Sequence, residues 1–82
     1  MCAMEYDRNK VDDMTLALLW LTVFERGPEV RSWKGHDWDA LDRLHARGYI
    51  SDPKGKAKSV VLSDEGERRA RELFEMHFIR PR

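Results

Sequence analysis

Lys54, Lys56 and Lys58 alternate within five residues. At a chain reversal, that spacing fans out ammonium groups that can meet successive phosphates of a nucleic acid. Arg31, Lys34, Arg43 and Arg47 supply further cations for the margins of such a site. Lysines at this density also keep a short strand edge soluble and unpaired, so the segment carries two readings. Trp33 and Trp38 frame a second chemistry. An exposed indole stacks on a base or anchors a protein partner, whereas a buried one fills a core. With Asp39, Asp42 and Arg43, Trp33 makes the contact surface expected for a protein partner.

The remaining polar residues offer little to catalysis. His36, His45 and His77 are the only histidines, no two stand at metal-ligand spacing, and Cys2 is the only cysteine. No metal site, no disulfide and no cofactor are expected. The carboxylates are spread along charged faces, and Gly55 and Gly66 are isolated and form no phosphate-binding loop. No catalytic residues are assigned, and the chain is not expected to be an enzyme.

The elements that must position these groups come from one small domain spanning residues 1–82, with a polar lead-in at 1–9 and a tail at 79–82. The chain has 41% apolar and 37% charged residues, with 15 basic and 15 acidic side chains. The apolar share supports a core and argues against disorder. A net charge of zero excludes a broad electrostatic footprint for nucleic acid but leaves room for a local one. A polar, charged start and the absence of a long apolar run lead to the expectation of a cytoplasmic protein with no membrane contact.

From Val11 the apolar positions Met14, Leu18 and Leu21 mark one helical face, and the pattern continues to Phe24. Asn9 is the candidate cap, with Asp12 and Asp13 suited to the first-turn dipole. A helix apolar almost all round must be covered on several sides. Either the rest of the fold wraps it, or Met14, Leu18 and Leu21 form the seam of a homodimer. Gly27-Pro28 ends this helix, and GPEVRSWKG is expected to be a short connection. A second helix over about 38–47 is capped by Asp37, turns Trp38, Leu41 and Leu44 or His45 inward, and stops at Gly48.

Residues 49–51 read as a short strand, Asp52-Pro53-Lys54-Gly55 as a type I turn, and 58–62 as the return strand with Val60 and Leu62 on one face. Ser63 caps a last helix whose inward stripe is Ala70, Leu73, Phe74 and His77. Its outer face offers the i, i+4 pairs Asp64–Arg68, Glu65–Arg69 and Glu67–Arg71.

Leu41-x-x-Leu44-x-x-x-Gly48-Tyr49-Ile50, a basic hairpin, and then Val61-Leu62-Ser63-x-Glu65-Gly66 resemble winged-helix regulators of the multiple-antibiotic-resistance type. The resemblance covers about half the chain. It implies an α+β, winged-helix-like domain: long N-terminal helix, short helix, β-hairpin wing and C-terminal helix. The whole chain is also similar to a family of short bacterial proteins of unknown function that share the DDMTLALLWL, DWDALDRLH and GYISDPK blocks. Ahead of the recognition-position helix, residues 27–35 are too few for the usual preceding helix, so the helix-turn-helix is truncated. That helix also carries Asp37, Asp39 and Asp42, which repel phosphate and leave the lysine wing as the contact to nucleic acid. Two functions follow as expectations. One is a DNA-associated regulator contacting duplex phosphates through the wing. The other is a protein-interaction module, such as a small adaptor or an inhibitor encoded by a phage or mobile element.

Overall fold

The computed structural model describes residues 6–55 and 58–79. In chain order its elements are α1 (Arg8–Leu21), β1 (Val23–Arg26), β2 (Val30–Trp33), α2 (Trp38–Ala46), β3 (Ser59–Leu62) and α3 (Asp64–Phe78). The strands form one antiparallel sheet in the order β1-β2-β3.

The start of α1 lies one residue before Asn9, because Asp7 is the cap and its carboxylate accepts from the Lys10 backbone N–H at 3.2 Å. The face that enters the core is Asp12, Thr15, Leu16 and Leu19, with Ala17 beside it. The stripe that begins the apolar pattern is the more open one: Met14 is partly buried, while Leu18 and Leu21 are exposed. The helix stops at Leu21, three residues short of Phe24. At the boundary the Thr22 hydroxyl lies 3.2 Å from the Leu18 carbonyl and 2.7 Å from the Ser32 hydroxyl. The β-branched pair Thr22-Val23 favours extended chain, and strand pairing then settles a run whose apolar pattern fits either state.

The segment expected to be a bare connection instead forms the central strand. β2 pairs with β1 across the Gly27-Pro28 reversal and with β3 through Val30↔Leu62, Arg31↔Val61, Ser32↔Val60 and Trp33↔Ser59. Val30, Ser32, Val60 and Leu62 take the inner face, and Arg31, Trp33, Ser59 and Val61 the outer one. Ser32 is fully buried, and its hydroxyl donates to the Leu19 carbonyl at 2.7 Å, which fixes the end of α1 to the sheet.

Because β3 finds a full-length partner in β2, the expected wing hairpin shrinks. Residues 49–51 make no strand: Ile50 contributes a single bridge to Leu62, and the Ser51 N–H donates to the Val61 carbonyl at 2.8 Å. The turn at Asp52 is present, with the Lys54 N–H donating to the Asp52 carboxylate at 2.9 Å.

Asp37 caps α2 by accepting from the Ala40 N–H at 3.1 Å. Gly48 follows its C-terminal end in the left-handed region, at φ 80°. Ala40, Leu41 and Leu44 are the buried stripe. Trp38 is 54% exposed, contrary to the inward position expected of it, because it stands in the first turn beyond the edge of the core. His45 is exposed too, with Nδ1 3.0 Å from the Ile50 carbonyl.

Ser63 caps α3 from both sides: its hydroxyl accepts from the Gly66 N–H at 3.0 Å and donates to the Gly48 carbonyl at 2.6 Å. Ala70 and Leu73 are buried and Phe74 packs partly against them, but His77 is exposed near the helix end. None of the three expected i, i+4 ion pairs forms among the described residues; Arg69 pairs with Glu72 instead. Exposed pairs of this kind gain too little to hold long side chains in place. The core joins Leu16 and Leu19 of α1, Leu41 and Leu44 of α2, Val60 and Leu62 of β3, and Leu73 of α3, with Ile50 between them.

Candidate functional site

One end of the sheet gathers aromatic rings and lysines. Trp33 ends β2 on the outer face, and a register shift between Val23 and Glu25 sets Phe24 of β1 beside it. Their rings stack with centroids 4.4 Å apart at an interplanar angle of 26°. Trp33 stays 51% exposed and Phe24 47%, so the stack keeps apolar surface open to solvent.

The next residue, Lys34, ties three segments together. Its backbone N–H donates to the Lys58 carbonyl at 3.2 Å, continuing the β2–β3 ladder. Its ammonium donates to the carbonyls of Pro53 at 2.6 Å and Gly55 at 2.8 Å, and lies 5.6 Å from the centre of the Trp38 ring. The ammonium therefore clamps the 52–55 turn against the start of α2 and fixes a positive charge beside an exposed indole. Lys54 is exposed within that turn and Lys58 just before β3, while Lys56 lies outside the described residues. Arg31 lies on the same outer face, donating to the Ser59 hydroxyl and to Glu29, each at 3.1 Å. The neighbouring carboxylates of Asp37 and Asp52 accept from backbone N–H groups of Ala40 and Lys54. That engagement offsets part of their repulsion toward an anion.

Arg43 and Arg47 are not part of this cluster's bonding; both are engaged by α1. Arg43 forks onto Asp12, with Nε 2.8 Å from Oδ2 and Nη2 2.8 Å from Oδ1. Asp12 is completely buried, so the sequence reading of it as a first-turn dipole residue is corrected. The hydrogen bonds from Arg43 to Asp12 raise the guanidinium's already high pKa. Arg47 donates to the Asn9 side chain at 3.0 Å. Of the acidic residues expected at a protein contact, Asp39 is exposed and Asp42 partly buried. His36 is half-buried, and desolvation lowers its pKa below the ordinary 6.5.

Sequence reasoning missed two members of this arrangement. Phe24 had been assigned to the helix, so its partnership with Trp33 was hidden; the Thr22-Val23 pair was the available signal. Asp12, a carboxylate on the face with Leu16 and Leu19, was the other. Among the described residues no three His, Cys, Asp or Glu side chains come together as metal ligands. No helix among the described residues is long and apolar enough to cross a membrane.

Fold and surface together define a small α+β domain of three helices and a three-stranded antiparallel sheet. The chain belongs to the family described as Domain of unknown function (DUF6429), whose model matches residues 7–80. It is 56% identical over 77 residues to the uncharacterized protein y4hR of Sinorhizobium fredii (strain NBRC 101917 / NGR234). The match covers 94% of this chain and 100% of that protein. No solved structure matches it significantly.

Proposed function

We propose that this domain is a non-enzymatic, winged-helix-like nucleic-acid-binding protein, a DNA-associated regulator that works through the turn and outer sheet face rather than through a groove-reading helix. One observation carries the reading: the exposed rings of Phe24, Trp33 and Trp38 adjoin Lys34, Lys54 and Lys58 at one end of the sheet. Aromatic faces interleaved with cations are the combination that grips bases and phosphates together. The engagement of Arg43 and Arg47 by α1 removes two cations from the earlier set, and the site shifts to Arg31 and the three described lysines. Two freely exposed lysines neutralise few phosphates, so affinity should fall only gently with salt, with a log–log slope of about −1 to −2. The test is fluorescence anisotropy with a labelled mixed-sequence oligonucleotide at low ionic strength. Lys54→Glu with Lys58→Glu should abolish binding; binding unaffected by the double reversal overturns the reading.

A protein-interaction module is the second reading, favoured by the half-exposed Phe24–Trp33 stack, since large aromatics dominate protein contacts. The exposed Leu18 and Leu21 of α1 likewise suit a second copy of the chain. A partner lost on Trp33→Ala would support the former, and a concentration-dependent mass reduced by Leu18→Glu the latter.

A further inference from the structure

We infer that the ligand of the sheet-end surface is single-stranded nucleic acid in preference to duplex. The inference rests on the nucleic-acid reading above and goes on to name the form of the ligand.

In a duplex the faces of the bases are covered by their neighbours, and only their edges reach the grooves. A protein reads those edges with a helix or ribbon that projects into a groove. Here the arginines of the α2 region are engaged by α1, Arg43 forked onto Asp12 and Arg47 bonded to Asn9, and Asp39 of the same helix is exposed. The surface with free chemistry is instead aromatic. Phe24 and Trp33 are stacked on one another, each about half exposed, and Trp38 is 54% exposed. A splayed-out base stacks on such rings, whereas a paired base cannot reach them.

The cations are arranged to suit the same ligand. The Lys34 ammonium is held between two carbonyls and the Trp38 ring, a fixed charge that cannot swing out to follow a duplex backbone. Lys58 is exposed directly before Ser59, the residue opposite Trp33. Lys58 and, in the adjoining turn, Lys54 are the exposed cations at this end of the sheet that can meet the phosphates of a strand whose base stacks on Trp33. Four-residue strands span ~13 Å, enough for two or three nucleotides. The outer-face hydroxyl of Ser59 and the guanidinium of Arg31 lie along that span and offer donors for base edges or phosphates.

The experiment is a pair of anisotropy titrations at low salt, with a labelled oligothymidine 12-mer and with a duplex of equal length. The single strand should bind at least tenfold tighter. Trp33→Ala should weaken it about tenfold or more through lost stacking. Trp33→Phe should keep most of the affinity and show that the fold survives substitution there, and Arg68→Ala, an exposed cation of α3 outside the proposed site, should change nothing. Duplex bound as tightly as single strand overturns this inference while leaving the nucleic-acid reading in place. Binding of neither overturns both and turns attention to a protein ligand. Single-strand binding indifferent to Trp33→Ala overturns the inference as well.

Discussion

Arg43 and Asp12 make a forked ion pair that joins α2 to α1, with the carboxylate wholly inside the protein and the guanidinium at its rim. Two residues that looked like surface charges in the sequence are a structural bolt. A buried ion pair is costly to assemble and more costly to break on one side only. Arg43→Met strands the Asp12 carboxylate among apolar groups and should lower the thermal midpoint more than Asp12→Asn does. The double change Asp12→Leu with Arg43→Met should recover most of the loss. Thermal melts of the three variants check the order; a double variant no better than Arg43→Met contradicts it.

Gly66 reverses an ordinary rule. Replacing a helical glycine by alanine normally stabilises, by up to about 1 kcal/mol. Here a Cβ would collide with the backbone of Tyr49, chiefly its carbonyl oxygen, and neither the first turn of α3 nor that backbone can yield cheaply. Gly66→Ala should therefore destabilise by about 2 kcal/mol, the usual cost of overpacking. A urea unfolding curve with an unchanged or raised midpoint would refute this packing.

His36 gives the protein a pH signature. Burial makes the imidazolium less favourable in the folded chain than in the unfolded one, so the folded pKa is the lower of the two. Above the unfolded value near 6.5 the residue costs nothing; as pH falls below that, the unfolded chain takes up the proton first and stability declines. The decline ends once pH passes below the folded value. His36→Gln should flatten the melting temperature across this window, and an NMR titration of the His36 ring should place its midpoint below 6.5.

The parts of this fold that were legible in the sequence are those set by local stereochemistry. Asp37 and Ser63 were recognisable as caps, Gly48 as the left-handed stop, and Val60 and Leu62 as an inward-facing pair, because each depends on neighbours a few residues away. The β1–β2 hairpin was not legible, since its strands are short and the apolar run into Phe24 fits helix and strand equally. The Asp12–Arg43 pair spans 31 residues of sequence, and no periodicity announces such a contact. The spacing of Lys54 and Lys58 marked a lysine-bearing turn, and both are exposed. The Phe24–Trp33 stack was not legible, because the apolar pattern of α1 runs on to Phe24 and fits a helix there.

The most direct test of the central claim uses the three tryptophans as separate reporters, one indole N–H resonance each. Trp33 and Trp38 stand at the sheet end, and Trp20 is partly buried beneath the Arg26 guanidinium, whose carbon lies 4.9 Å from its ring centre. Titration with an oligothymidine strand, followed by NMR, should shift the Trp33 and Trp38 indole signals and leave that of Trp20 in place. Shifts confined to Trp20, or no shifts at all, would contradict the account.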